Sequence, residues 1–192
     1  MIVQKESQQQ TDEDISRLVQ SGNTELFGIL VKRYETKMIH YARKFLFGYE
    51  DAEDIVQQVF LKAYTNIQSF DTSKKFSSWL YRIAHNEFIN AIKKKTKERL
   101  SLFSLDTLFP HPVSKETIDK EISKQEVQQM LNSCLSKLDS KYREPLVLYY
   151  FEDLSYKEIA DILHIPTSTV GIRLQRGKQI MKSLYQKLSH NL

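Results

Sequence analysis

The chain has 192 residues, a formal net charge of +4 and a single cysteine, which leaves room for two small domains, each with its own core. One cysteine excludes a disulfide framework and a thiolate metal site. No apolar run approaches the ~20 residues that cross a bilayer, and residues 1–10 lack the basic and apolar regions of a signal peptide, so the expectation is a protein of the reducing cytoplasm.

Only five Gly and four Pro, frequent Leu, Ile, Lys, Gln and Glu, and no strand-like alternation predict an all-α fold. After a polar, Gln-rich tail (1–11), a short helix is expected over Asp12 to Gln20, ended by Ser21-Gly22-Asn23. Thr24 then opens a long helix to about Phe47, with Phe27, Leu30, Val31, Tyr34, Met38, Tyr41, Ala42 and Phe45 on one face. The acidic cluster Glu50, Asp51, Glu53 and Asp54 suits the positive end of a third helix. Ala52, Ile55, Val56, Val59, Phe60, Ala63, Tyr64 and Ile67 face its core, and Asp54, Gln57, Gln58 and Leu61 lie nearer the outside.

A loop (68–77) with Phe70, Asp71, Lys74, Lys75 and Phe76 leads to a fourth helix from Ser78 to about Lys95. Loop and helix mix aromatic rings, amides (Asn86, Asn90) and cations, a combination suited to single-stranded nucleic acid: rings stack on bases, amides read base edges, lysines meet phosphates. The alternative is that Phe70, Phe76 and Trp79 complete the core. Residues 97–124, with Pro110, Pro112 and no sustained period, are read as a linker. At ~3.3 Å per residue it spans at most roughly 95 Å.

Helical periodicity resumes at Gln125 to Leu138, and Asp139-Ser140 starts a further helix that carries Pro145 near its first turn. Ser155 and Glu158 form a capping box, and the helix they open is expected to end at His164-Ile165-Pro166. Thr167 or Ser168 is expected to cap the last helix. Two short helices across so tight a turn form a helix-turn-helix, whose second helix enters the DNA major groove. An ordinary helical hairpin would carry mixed charges. Here no Asp or Glu follows Asp161, while Arg173, Arg176, Lys178, Lys182 and Lys187 do, which favours phosphate contact. A ligand-sensing repressor or activator is the runner-up. The five histidines, His40, His85, His111, His164 and His190, show no metal-ligand spacing, and no phosphate loop or nucleophile elbow points to an enzyme.

Taken together, DAEDIVQQVFLKAY (51–64), FSSWLYRIAHN (76–86) and LSYKEIADIL…TSTVGIRLQRGK (154–178) resemble regions 2 and 4 of bacterial RNA polymerase sigma factors of the extracytoplasmic-function group. The resemblance implies two small helical domains joined by a flexible linker: region 2 over 12–96 and region 4 over 125–192. It implies no catalytic site, no metal and no cofactor. Asp54, Gln57 and Gln58 match positions that dock on the clamp coiled coil of the largest polymerase subunit. Phe70, Lys74, Lys75, Trp79, Asn86 and Asn90 match the region that holds the melted −10 element, with Phe70 and Asn86 at the pocket for a flipped base. Thr167, Ser168, Thr169, Gly171, Ile172, Arg173, Gln175, Arg176 and Lys178 match the part that reads the duplex −35 element. The group commonly has an anti-sigma partner. This chain departs from the usual pattern at His85 (often Arg), Asn90 (often Asp) and Gly171 (often basic).

Overall fold

The computed structural model describes residues 10–46, 52–102 and 124–189. Residues 1–9 of the tail, Glu50 and Asp51 of the acidic cluster, and 103–123 of the expected linker lie outside the described residues. Within them the chain forms helices and short 3-10 turns and no strand.

Helix α1 (Asp12–Gln20) starts where Thr11 accepts the Asp14 amide at 3.1 Å and three acidic residues sit at the positive end of the dipole. It ends at Gly22, whose φ of +112° is strained for any side chain. Where Thr24 was expected to open a helix directly, a 3-10 turn, Thr24–Leu26, precedes α2 (Phe27–Phe45). The α2 face at Phe27, Leu30, Tyr34, Met38, Tyr41, Ala42 and Phe45 is buried as its period requires. In α3 (Ala52–Thr65), Ala52, Val56, Val59, Phe60 and Ala63 are buried. Tyr64 is not. It sits at the rim, 40 % exposed, its ring edge-to-face with Phe27 at 5.2 Å between centroids.

A second 3-10 turn, Ile67–Ser69, follows α3. Gln20 fixes it by donating to the carbonyls of Ile67 and Phe70 at 2.7 and 2.8 Å. Glu13 accepts the Phe76 amide at 2.8 Å, which supplies a cap and lets α4 (Phe76–Leu102) begin two residues before the expected Ser78. At its far end α4 runs on through Lys93 to Lys97 and into the stretch read as linker. No Gly or Pro interrupts it there, and Lys, Arg, Glu and Leu favour the helix.

The second bundle comprises α5 (Lys124–Ser136), α6 (Ser140–Tyr150), α7 (Tyr156–Leu163) and α8 (Thr167–Ser189). Asp139 caps α6. The Ser155–Glu158 capping box is present with both reciprocal bonds. Helix α7 stops because His164 adopts the left-handed conformation (φ 52°), one residue before the position that Pro166 restricts. The Pro166 carbonyl takes the amides of Thr169 and Val170, so Thr167 and Ser168 occupy the exposed first turn of α8 instead of capping it.

The buried apolar side chains of the two bundles form one continuous cluster, joined where α6 lies on α2 and α7 on α4. Within the second, α6 and α8 approach closely at Gly177, where a Cβ would fall 2.9 Å from Leu146 Cδ1 and 3.3 Å from its Cγ. Gly177→Ala is therefore expected to destabilise by about 1–2 kcal/mol through overpacking, seen as a melting temperature lower by roughly 2–8 °C in thermal denaturation followed by circular dichroism.

Candidate nucleic-acid interface

Three exposed regions lie on this framework. The first is the outer face of α3. Asp54, Gln57, Gln58 and Leu61 follow at helical spacing and are all exposed, because the opposite face holds Val56, Val59, Phe60 and Ala63 in the core. Leu61, 55 % exposed, adds an apolar anchor to an otherwise polar stripe.

The second is a cleft between the end of α3 and the middle of α4, lined by Lys62, Asn66, Ser69, Trp79, Ile83, Asn86 and Glu87. Trp79, Ile83, Asn86 and Asn90 form one stripe of α4, and Asn86 and Asn90 are exposed. Opposite them Asn66 donates to the Lys62 carbonyl at 2.8 Å and Ser69 to the Asn66 carbonyl at 2.7 Å, so the lining is fixed by local bonds. A Lys62–Glu87 ion pair of 2.6 Å spans the two helices. Phe70 does not line this cleft. It is 5 % exposed and packs on Phe76 edge-to-face and on Trp79 at 5.1 Å between centroids. The ring at the cleft is that of Trp79, with Phe70 behind it. Lys74 and Lys75 project from the preceding loop, Lys74 beside Asp71 and Lys75 on Glu158 at 2.7 Å.

Lys62, Asn66, Ser69 and Glu87 were not singled out from sequence. Asn66 and Ser69 belong to a turn whose path depends on Gln20, 47 residues upstream of Ile67, and no local pattern announces such a contact. Conversely, His85 turns away from the cleft and places Nδ1 2.6 Å from Glu144 Oε1 in the second bundle.

The third region is the exposed side of α8. Val170, Leu174 and Gly177 face the core, which leaves Thr167, Ser168, Ile172, Gln175, Arg176 and Lys178 exposed and Thr169, Gly171 and Arg173 partly so. With no acidic residue in its first turn, the positive end of the helix is open to phosphate. Ile172 is half exposed, an apolar group suited to a thymine methyl. Tyr156 of α7 lies beside the bare Gly171, 3.6 Å from where a Cβ would stand. Burial pushes the Glu158 carboxyl up, but hydrogen bonds from Lys75 and Ser155 outweigh it and hold the group at about 2, so it stays ionised across the neutral range.

The comparisons with known proteins agree with this geometry. Sigma-70 region 2 matches residues 30–98 and Sigma-70, region 4 matches residues 128–181. The ECF RNA polymerase sigma factor SigW of Bacillus subtilis is 34 % identical over 180 residues, covering 88 % of this chain and 94 % of the relative. SigM of the same organism is 36 % identical over 137 residues, 71 % of this chain and 80 % of its own. Among solved structures, CnrH in complex with the cytosolic domain of CnrY superposes with a TM-score of 0.67 at 26 % identity, over 92 % of this chain and 97 % of that one. The chain belongs to the extracytoplasmic-function sigma factors of the sigma-70 family. It is thus a transcription initiation factor that binds core RNA polymerase and recognises promoter DNA.

The two residues matched to the base pocket should separate by stability. Phe70→Ala is expected to cost ~3–5 kcal/mol, as a buried aromatic does, whereas Asn86→Ala, at an exposed position, should stay within about 0.5 kcal/mol of the parent. Urea titration of both variants tests this.

Proposed function

We propose that the cleft at Trp79 and Asn86 receives one unstacked base of the −10 element. The observation that carries this reading is the junction of an aromatic ring with two amides, Asn66 and Asn86, at a cleft edged by Lys62. The indole offers a stacking surface, and an amide offers both a donor and an acceptor for a base edge hidden until the base leaves the stack. Phe70 acts from behind, by holding the indole. Lys74 and Lys75 meet the adjoining phosphates, and Asn90 lies further along the same strand path. Unstacking costs a few kcal/mol. Asn86→Ala should therefore slow open-complex formation on duplex promoters while core binding and −35 binding stay near parental values, and a pre-melted promoter should recover part of the loss. Equal loss on duplex and pre-melted templates would remove Asn86 from base capture.

The outer face of α3 docks on the clamp coiled coil of the polymerase through Asp54, Gln57 and Gln58, with Leu61 between polar neighbours. Asp54→Arg is expected to weaken core binding at least tenfold with an unchanged melting curve. Unaltered core affinity would exclude the docking role.

On α8, Ile172, Gln175 and Arg176 read the −35 duplex from their exposed positions, and Thr167, Ser168 and Thr169 direct the first-turn amides at phosphate. Arg173, partly covered, and Lys178 bind the backbone. Arg176→Ala should cost about 1–3 kcal/mol and relax one base position, whereas Arg173→Ala should weaken all sequences alike and lower the salt slope by about one. Binding titrations across salt and across single-base variants distinguish them.

The protein acts without a catalytic site of its own and works in the cytoplasm, where its polymerase resides. No described helix is long and apolar enough to cross a membrane. An anti-sigma partner fits the solved likenesses: CnrH is bound to the cytosolic domain of CnrY, and the sigma factor RpoE from Bartonella quintana to the anti-sigma factor NepR.

A further inference from the structure

Glu87 is the acidic member of the set of side chains that line the cleft at Trp79. Its side chain is 16 % exposed, against 51 % for Lys62, whose ammonium meets Glu87 Oε1 at 2.6 Å. A cleft that receives a strand of phosphates has no electrostatic use for a carboxylate, and an ion pair with one partner so exposed adds little to stability. Pairing with Lys62 cancels the charge. What remains is a hydrogen-bond acceptor, because Oε2 has no partner among the described residues.

The neighbouring polar groups have the same sense. Asn66 Nδ2 spends both its protons, on the Lys62 carbonyl at 2.8 Å and on Thr65 Oγ1 at 3.3 Å, so only Oδ1 is left for a ligand. Ser69 gives its hydroxyl proton to the Asn66 carbonyl at 2.7 Å and can only accept. Asn86 alone of these makes no hydrogen bond among the described residues and keeps both a donor and an acceptor. A cleft rich in acceptors selects among bases by their edges. Adenine and cytosine carry an exocyclic amine beside a ring nitrogen that accepts. Guanine and thymine carry a carbonyl oxygen where that amine would be, and an oxygen set against a carboxylate is repelled and left unpaired. Guanine pairs two N–H groups with a carboxylate only when both oxygens are open, and Lys62 holds one. Thymine has one N–H, flanked by carbonyls on both sides.

We propose that Glu87 determines which base the cleft takes: it accepts a hydrogen bond from the exocyclic amine of the captured base, so that adenine or cytosine is held and guanine and thymine are rejected. Asn86 then donates to the adjacent ring nitrogen, and Trp79 covers the face of the base. Lys62 is a positioning residue, which holds the carboxylate at the cleft and offsets its repulsion of the phosphate backbone. The inference rests on the base-capture reading and narrows it from any base to the two amino bases.

The test uses holoenzyme formed from core polymerase and the full chain, with pre-melted promoters that carry each of the four bases in turn at every −10 position. At the captured position the parent should hold adenine or cytosine roughly tenfold more tightly than guanine or thymine. Purine in place of adenine, or pyrimidin-2-one in place of cytosine, lacks only the amine and should lose that advantage. In Glu87→Ala the amine-free analogues should bind as the amino bases do, the coupling that a double-mutant cycle reads. Glu87→Gln sets an amide that can also donate in the same place, so it should bring guanine or thymine to within about threefold of the amino bases. Lys62→Ala breaks the same ion pair but spares the carboxylate; it should weaken every promoter yet keep the amino-base preference. A parental base ranking in both Glu87 variants overturns the proposal. So does equal loss of ranking in Lys62→Ala and Glu87→Ala, which marks the pair as structural only. Asn86→Ala shows where a failure lies. If it slows opening on duplex promoters while the Glu87 variants keep the parental ranking, base capture stands and the role of Glu87 falls. If it impairs duplex and pre-melted templates equally, both fall. The analogues need no variant, so a parent protein that holds purine as tightly as adenine and pyrimidin-2-one as tightly as cytosine at every position overturns the proposal alone.

Discussion

Glu144 is the residue around which the two halves are arranged. A buried carboxylate is costly unless its oxygens are hydrogen-bonded, and in this structure Tyr41 and His85, both from region 2, meet one of those oxygens. Tyr41 is itself fully buried, in contact with Phe45, Tyr81 and Phe88. The hydroxyl therefore cannot turn to water without disturbing an aromatic cluster that α2 and α4 build for their own stability. The interface is anchored in the core of region 2, and only its rim, such as Lys75 with Glu158, is exposed to solvent and salt.

The same division between core and rim explains how the three exposed regions are held. The outer face of α3 is fixed because the opposite face is apolar and covered. The cleft at Trp79 is fixed because Trp79 rests on Phe70 and Phe76, while Asn66 is tied to the Lys62 carbonyl and Ser69 to that of Asn66. Preformed walls lower the ordering cost of capturing a base, which matters where unstacking must already be offset. Burial pushes the Glu152 carboxyl up against the opposing pull of Tyr81, Lys37 and Lys44. Glu152 is thus partly desolvated at the seam between the halves.

Much of this was legible in the sequence because it is written in short-range patterns. The apolar period of α2, the capping box at Ser155 and Glu158 and the one-signed charge after Asp161 each need only neighbouring residues. Leu61 outside and Val59 inside followed from periodicity alone. What stayed hidden depends on contacts far apart in sequence: Glu13 capping α4, Gln20 shaping the turn that carries Asn66 and Ser69, and Glu144 drawing His85 away from the cleft. The burial of Phe70 belongs to the same class. A phenylalanine in a loop fits an exposed base platform and a core plug equally well until Phe76 and Trp79 are seen to enclose it. Alternation of polar and apolar residues locates a face, but cannot say which of two aromatic rings on that face comes to the surface.

Glu158 joins the local and the long-range levels in one side chain. One of its oxygens completes the capping box of α7, accepting from the Ser155 amide and hydroxyl, and the other takes Lys75 from region 2. Because the cap is internal to region 4, the helix-turn-helix keeps its start signal when Lys75 departs. The local cap thus fixes the start of the helix-turn-helix, and the long-range pair with Lys75 fixes where that start lies against region 2.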